Sequence, residues 1–301
     1  MFLCVLALFC LPACGFISKD SAAGTRRIGA QLERMQPKKK NHKEYREIND
    51  NRITALVLGS DGGRTDTIML ATYDADFNRF DVISIPRDTY IETGRPGAEM
   101  KKINSVYQMG GFEELSEDIK KVLNTENLEI DRYVMLDYEG AKTIIDALGG
   151  VEMDIPAEIA QNTENLVSGV QNLEGNNALE YLRQRKSFDE GDIGRVRSQQ
   201  EFTGKLLEKV KDNKLKTLKS LYTEVDTNIG MAEALKYGYR FSTIDKNNIR
   251  FHILPGHPEY RTVEGQTLSY YVGDNASAGE MMNGILNNND GDSGKIFTEQ
   301  N

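Results

Sequence analysis

Residues 53–92, ITALVLGSDGGRTDTIMLATYDADFNRFDVISIPRDTYIE, decide the fold of this chain. Three runs rich in β-branched and aromatic residues are separated by short turns, which predicts three consecutive strands. We expect these strands at Ile53–Leu58, Thr67–Tyr73 and Arg79–Ile85. Charged residues gather in the loop after the first strand and in the segment after the third. Because ligands of α/β sheets bind in loops at strand ends, the functional site is expected beside these two segments.

Farther along the chain, apolar residues recur at helical spacing in several segments and alternate with short strand-like runs. This alternation indicates an α/β layer fold. Residues 157–175 are polar and irregular, and we predict a mobile loop there. The predicted helices cover 112–123, 138–148, 176–184, about 195 to 211, 228–241 and 277–286, and further strands are predicted at 133–136, 151–155 and 249–254.

Composition argues against several classes of function. A formal net charge of −9 disfavours nucleic acid as the main partner, because phosphate backbones attract basic surfaces. The cysteines, Cys4, Cys10 and Cys14, all lie in the first 14 residues, so the globular part has neither a disulfide nor a thiolate metal site. With three histidines in the chain, neither a Ser–His–Asp triad nor a histidine-rich metal site is expected.

The N-terminal segment has the pattern of a membrane signal. The run Met1–Ile17 carries no charge. Its length is near the minimum for a membrane span and is long for the core of a signal peptide. Leu11-Pro-Ala-Cys14-Gly resembles a bacterial lipobox with Cys14 acylated after cleavage, and an uncleaved single-span anchor is the alternative. A buried core helix is the third interpretation. The basic residues after this run would favour a cytoplasmic body, but large domains are translocated regardless of such charge.

The remaining boundaries follow from charge and hydropathy. Residues 19–52 carry ten Lys and Arg against five Asp and Glu and little apolar periodicity, which indicates a juxtamembrane linker. We therefore predict a signal peptide or anchor at 1–18, a linker at 19–51, a globular domain at 52–287 and a disordered tail at 288–301.

Two aspartates and several arginines form the candidate site. Asp61 and Asp66 share one short loop, and two carboxylates together with phosphate oxygens are a typical Mg²⁺ environment. Arginine outnumbers lysine in the boundary segments, and its planar guanidinium binds phosphate bidentately. The arginines are Arg64, Arg87, Arg183, Arg185, Arg195 and Arg197. Each residue taken alone is more typical of a structural role, in which the aspartates cap turns and the arginines form surface ion pairs. The whole set together favours a Mg²⁺–phosphate site.

A series of short motifs gives the candidate site a family context. In chain order they resemble motifs of the LytR-CpsA-Psr family from about Ile53 to Gln200, with a looser match to about Leu286. The motifs are Leu58-Gly-Ser-Asp61, Arg64-Thr-Asp66-Thr-Ile-Met, Ser84-Ile-Pro-Arg87-Asp88-Thr, Lys102-Ile-Asn104, Tyr107-Gln-Met-Gly110-Gly111, Ala147-Leu-Gly-Gly150-Val, Leu173-Glu-Gly175, Ala178-Leu, Tyr181-Leu-Arg183-Gln-Arg185 and Gly191-Asp-Ile-Gly-Arg195.

This resemblance implies a central mixed β-sheet flanked by helices, with an apolar tunnel for a polyprenyl chain. It implies a domain outside the bacterial cytoplasmic membrane that transfers teichoic acid, capsular or related glycopolymers from a polyprenyl-diphosphate carrier to peptidoglycan, as a Mg²⁺-dependent phosphotransferase. Two alternatives remain open. One is a non-catalytic, membrane-anchored attenuator that binds polyprenyl-phosphate lipids, and the other is a polyprenyl-diphosphate hydrolase.

The resemblance also implies roles for single residues. Asp61 and Asp66 would hold Mg²⁺, Arg87 would contact the diphosphate, and Asp88 would either orient Arg87 or act as a base. Arg64 precedes the second aspartate, as an arginine does in the family, and is assigned with Arg87 and Asp88 to catalysis. The residues implied in substrate binding are Arg183, Arg185, Arg195, Gln199 and Lys102.

Two departures from the family pattern stand out. The loop from Asp61 to Asp66 is shorter than usual and lacks an arginine after the first aspartate, and Ser198 occupies the place of a second arginine. If the chain is helical from residue 195, each residue turns the helix by about 100°. Ser198 and Gln199 then share a face with Arg195, whereas Arg197 points away.

Overall fold

The structure is a computed structural model that describes residues 52–60, 64–126, 128–130, 132–184, 192–212, 222–287 and 295–296. Within these ranges no helix is both long enough and apolar enough to span a bilayer. The predicted anchor, the linker, and the candidate residues Asp61 and Arg185 lie outside the described residues.

A seven-stranded mixed sheet, counted over the described residues, forms the centre of the domain. The three strands predicted from residues 53–92 are confirmed as β1 (Arg52–Ser60), β2 (Thr65–Asp74) and β3 (Arg79–Ile85), paired antiparallel in succession. The sheet is completed by β4 (Arg132–Leu136), β7 (Asp226–Thr227), β8 (Ile249–Ile253) and β11 (Lys295–Ile296), in the order β11-β8-β3-β2-β1-β4-β7. Strand β4 pairs parallel with β1, and β8 pairs parallel with β3.

Helices cover both faces of this sheet. They are α1 (Val106–Val122), α2 (Tyr138–Ala147), α3 (Ala157–Ala160), α4 (Gly175–Arg183), α5 (Asp192–Asp212), α6 (Met231–Ser242) and α7 (Asn275–Asn287), with 3₁₀ turns at Ala98–Lys101, Ile103–Ser105 and Lys246–Asn248. Alternate residues of a strand point to opposite faces. Leu58 therefore belongs to a core with α1 and α7, while Val57 belongs to a core with α2, α4, α5 and α6. The two cores make a three-layer α/β domain.

Two small antiparallel ribbons lie outside the central sheet. One pairs β5 (Val151–Ile155) with β6 (Gly169–Leu173), and the other pairs β9 (Gly256–Val263) with β10 (Gln266–Gly273). The mobile loop predicted for 157–175 is therefore wrong, because this stretch contains α3 and β6. Strand β6 has no apolar pattern because it belongs to a small ribbon outside the central sheet. Within this strand only Leu173 is buried.

Helix boundaries differ from the predictions where glycine or capping interrupts the pattern. Helix α1 begins at Val106, six residues before the predicted start, and a kink at Gly111 (φ 71°) joins its two parts. Helix α6 begins at Met231 after Gly230, three residues later than predicted. The hairpin β9–β10 was not predicted.

Strand directions bring one set of chain segments to a single edge of the sheet. Strands β1, β3 and β4 run parallel to one another, and β2 runs in the opposite direction. The carboxyl ends of β1, β3 and β4 therefore lie beside the start of β2. This edge carries Asp66 at the start of β2, Arg87 two residues after β3, and Tyr138 two residues after β4.

Candidate active site

Asp66 is the carboxylate at the centre of the candidate site. Arg87 donates from Nη1 to its Oδ1, and the Tyr138 hydroxyl donates to its Oδ2 at 2.7 Å. Burial alone would raise the pKa of the Asp66 carboxyl, but the hydrogen bonds from Tyr138 and Arg87 and the positive charge of Arg87 and Arg195 together hold this pKa below its ordinary value. Asp66 is therefore an ionised and oriented acceptor at neutral pH.

A cavity of about 190 Å³ opens beside Asp66. Its polar wall combines the Asp66 carboxylate with three guanidinium groups, and its apolar wall is made of residues from the sheet and from α4 and α5. The lining residues are Asp66, Thr67, Met69, Arg87, Tyr138, Leu179, Leu182, Arg183, Arg195, Gln199, Phe202 and Thr203. A wall that is cationic in one part and apolar in another suits an anionic head group attached to a hydrocarbon chain.

Helix α5 presents the predicted face to this cavity. Arg195 is 4% exposed and lines the cavity with Gln199, while Ser198 is buried and Arg197 is exposed. The Gln199 amide nitrogen donates to the Leu182 carbonyl at 3.2 Å, which ties α5 to the end of α4. The orientations predicted from the 100° helical step are confirmed.

The cavity wall contains buried donors without a hydrogen-bond partner within the described part of the chain. Thr67 Oγ1 and Arg87 Nε are among them. Arg87 Nε lies 3.9 Å from Asp88 Oδ2, which is an ion-pair contact and too long for a hydrogen bond. Because unpaired buried donors cost free energy, this wall is poised to bind an acceptor such as a phosphate oxygen.

A second group of charges lies on the other side of Arg87. We call Arg64, Asp88, Glu99 and Lys102 the flanking cluster. Lys102 Nζ lies 3.4 Å from Asp88 Oδ1 and 3.4 Å from Glu99 Oε1, and Arg64 Nη1 donates to Glu99 Oε2 at 2.8 Å. The hydrogen bond from Arg64 lowers the pKa of Glu99. None of these four residues lines the cavity.

The predicted site residues therefore divide into three groups. Five of them share the cavity: Asp66, Arg87, Arg183, Arg195 and Gln199. Three lie in the flanking cluster: Arg64, Asp88 and Lys102. Asp61 and Arg185 fall outside the described residues, so their roles stay predictions.

Sequence reasoning missed Tyr138 and the residues of the apolar wall. Leu179 is one of the apolar residues of the predicted helix 176–184, and it lines the cavity with Met69, Leu182 and Phe202. Tyr138 follows a predicted strand by two residues, as Arg87 does, and that shared position was the available signal.

The described residues contain no group of three or more His, Cys, Asp or Glu side chains that could hold a metal ion. Of the two carboxylates predicted to bind the metal, Asp66 lies within the described residues. Since Mg²⁺ commonly binds through one or two carboxylates and keeps several waters, an ionised Asp66 beside the Thr67 hydroxyl is a donor set that fits this ion.

The chain is similar in sequence to known proteins. A profile described as the LytR_cpsA_psr family matches residues 21–286. The polyisoprenyl-teichoic acid–peptidoglycan teichoic acid transferase TagU of Bacillus anthracis is 35% identical over 154 residues, which cover 50% of this chain and 50% of TagU. The chain thus spans about half the length of the curated relatives it matches.

Solved structures share the fold. The Lin1025 protein from Listeria innocua is 28% identical with a TM-score of 0.64, over 79% of this chain and 98% of that protein. TagV of B. subtilis is 25% identical with a TM-score of 0.64, over 80% and 98% of the two chains. The central sheet and the flanking helices thus belong to an architecture found in other proteins.

Proposed function

Because the chain belongs to the LytR_cpsA_psr family, we propose that it transfers a glycopolymer, such as teichoic acid or a capsular polysaccharide, from a polyprenyl-diphosphate carrier to peptidoglycan. The observation that carries the proposal is the cavity, in which three guanidinium groups lie around one carboxylate and another part of the wall is apolar. The relatives named as teichoic acid transferases support the same class of substrate and acceptor.

The proposed reaction is a phosphoryl transfer. A peptidoglycan hydroxyl attacks the phosphorus that carries the glycopolymer, and the bond from this phosphorus to the bridging oxygen of the diphosphate breaks. Polyprenyl phosphate leaves, the proton of the hydroxyl passes to a base or to solvent, and a phosphodiester joins glycopolymer to peptidoglycan. Charge develops on the transferred phosphoryl oxygens and on the bridging oxygen, where fixed cations contribute most.

The arginines of the cavity supply those cations. Arg87 lies against Asp66 and keeps one buried N–H without a partner among the described residues, so it is placed to donate to a phosphate oxygen. Arg195 is buried and Arg183 is at the end of α4, on two different helices. Three guanidinium groups approaching from separate elements can surround a diphosphate and fix its position relative to the acceptor.

We include Mg²⁺ in the proposal, held by Asp66 and by Asp61 of the preceding loop. When bound, this ion would neutralise part of the diphosphate charge. Asp66 contributes an ionised carboxylate whose two oxygens are oriented by Arg87 and Tyr138. The neighbouring Thr67 hydroxyl, buried and unpaired among the described residues, is a further oxygen donor.

We also propose that the domain works on the outer face of the cytoplasmic membrane, attached by its N-terminal segment. Labelled palmitate incorporated at Cys14 would identify a lipoprotein. A full-length, unlabelled protein recovered in membranes would identify a single-span anchor. Recovery of the full chain free in the cytoplasm would contradict both forms of attachment.

The function is tested by incubating the full chain in detergent with a polyprenyl-diphosphate-linked saccharide, Mg²⁺ and peptidoglycan oligomers. We expect a phosphodiester-linked product by mass spectrometry, and the same reaction in EDTA tests the metal. Release of polyprenyl phosphate without a linked product would favour the hydrolase. Tight lipid binding without turnover would favour the attenuator.

A further inference from the structure

Tyr138 makes two contacts that belong to different parts of the cavity. Its hydroxyl donates to Asp66 Oδ2 at 2.7 Å, and the Arg183 guanidinium carbon lies 4.5 Å from the centre of its ring. Tyr138 is the first residue of α2, whose cap is the Asp137 side chain accepting from the Gly140 amide. The tyrosine is therefore held by a capped helix end that also follows a strand of the central sheet.

The first contact completes the orientation of Asp66. A carboxylate held at one oxygen can rotate about its terminal bond, whereas one held at both oxygens has a fixed plane. Arg87 holds Oδ1 and Tyr138 holds Oδ2. Each oxygen keeps a lone pair for another partner, because a carboxylate accepts about four hydrogen bonds or metal contacts.

The second contact orients Arg183. No carboxylate within the described residues forms an ion pair with this arginine, so the aromatic face is the contact that holds its guanidinium. A cation stacked on a tyrosine ring is held by the ring quadrupole and still presents its N–H groups at the edge. Without the ring, a long side chain at a helix end would sample several rotamers.

The pair also separates two open spaces. Tyr138, Leu179 and Arg183 line the cavity described above and also an outer groove of about 400 Å³. The groove is otherwise polar, with Glu139, Lys142, Asn176, Glu180 and Gln184 along its sides. A substrate with an apolar tail in the cavity and a polar part in the outer groove would pass this pair.

We propose that Tyr138 is a positioning residue of the transfer reaction, with separable hydroxyl and ring roles. The hydroxyl orients Asp66 toward the metal, and the ring orients Arg183 toward the diphosphate. This inference rests on the proposed function. One side chain, Tyr138, would thereby position both the proposed metal ligand Asp66 and the phosphate-binding Arg183.

The test compares Tyr138→Phe, which removes the hydroxyl, with Tyr138→Leu, which also removes the ring. Mn²⁺ affinity, measured on the full chain by electron paramagnetic resonance, should fall about tenfold in both variants, as is usual when a group that orients a metal ligand is lost. Affinity for geranyl diphosphate, measured by calorimetry in EDTA, should stay within about twofold in Tyr138→Phe and fall about fivefold in Tyr138→Leu.

A double-mutant cycle separates positioning from loss of stability. If the ring acts through Arg183, Tyr138→Leu should not weaken geranyl diphosphate binding further once Arg183→Ala is present. Tyr73→Phe is the matched control, since its hydroxyl bonds Asn78 at 3.2 Å in the opposite, distal hairpin of the sheet. This control should bind both probes as the unaltered chain does.

Several results would overturn the inference. Equal losses of diphosphate affinity in Tyr138→Phe and Tyr138→Leu would contradict a separate ring role. Additive effects of Tyr138→Leu and Arg183→Ala would contradict action through Arg183, and unchanged Mn²⁺ affinity would contradict the hydroxyl role. An unaltered chain that binds no geranyl diphosphate would overturn the proposed function itself, so the two failures are distinguishable.

Discussion

Two groups of charged residues lie next to Arg87, and they differ in the ratio of cations to carboxylates. On the cavity side Arg87, Arg183 and Arg195 face a single described carboxylate, Asp66. In the flanking cluster two cations and two carboxylates are paired with each other at 2.8 to 3.4 Å. Charges that satisfy each other have little attraction left for a ligand, whereas three guanidinium groups around one described carboxylate form a cationic surface that attracts an anion. We therefore expect the diphosphate of the proposed reaction to bind on the cavity side, with the flanking cluster supporting Arg87.

The largest expected effect is that of Asp66→Asn. This change keeps the side-chain shape but removes the charge that would face the proposed Mg²⁺ and that balances the arginines, so we expect transfer to fall at least about a hundredfold. Transfer is measured with Mg²⁺ in excess, and thermal unfolding serves as the control for folding. Near-normal turnover in Mg²⁺ would remove Asp66 from the site and leave the cavity without its proposed centre.

The next effect compares two arginines of one helix. Arg195→Ala removes a buried cation from the cavity, and we expect at least a tenfold loss of turnover or lipid-diphosphate affinity, about 1.4 kcal/mol. Arg197→Ala is the matched control on the exposed face of α5 and should change either quantity less than about twofold. Arg195→Lys should restore little, because an ammonium lacks the guanidinium fork.

Comparable losses at Arg195 and Arg197 would show that α5 moves when substrate binds. In that case the exposed arginine reaches the phosphates in the complex. Ser198→Arg should be destabilising, since Ser198 is buried, bonds the Gly194 carbonyl at 3.2 Å and does not line the cavity.

Much of the fold could be predicted from local patterns of apolar residues. Strands β1, β2 and β3 are central and buried on both faces, so their continuous apolar runs identify them. The hairpin β9–β10 gave no such signal because most of its residues are exposed. Its two-residue turn, Glu264-Gly265, has positive φ at both positions (49° and 80°), and glutamate rarely marks such a turn.

The site was predictable only in so far as its residues lie at element ends. Arg195 and Gln199 were placed correctly because a single helix fixes their relative direction. Tyr138 was not, since its contact with Asp66 depends on the parallel pairing of β1 with β4, which joins residues more than seventy positions apart. The pairing of charges in the flanking cluster could not be predicted either, because Glu99 belongs to no recognised motif.

A smaller effect is expected from Lys102→Met, within the flanking cluster. The change keeps the stem beside Tyr270 but leaves Asp88 and Glu99 without their shared cation. Asp88 would then compete with substrate for Arg87, and we expect a loss of about fivefold in transfer, near 1 kcal/mol. Lys102→Arg should recover most of the rate. A loss as large as that of Asp66→Asn would instead make Lys102 a direct contact of the reacting groups.

The smallest effect is expected from Arg64→Ala, although the sequence assigned Arg64 to catalysis. Its guanidinium donates to Glu99 at 2.8 Å, and both side chains are well exposed, at 37% and 41%. Exposed ion pairs contribute at most about 1 kcal/mol, so transfer should fall less than about threefold. Glu99→Gln should have the same small effect, and the double variant should be no worse than either single variant. If Arg64→Ala instead lowers transfer tenfold while Glu99→Gln does not, Arg64 leaves Glu99 for the substrate during the reaction. The balanced cluster would then be a resting arrangement, and its arginine would count with those of the cavity.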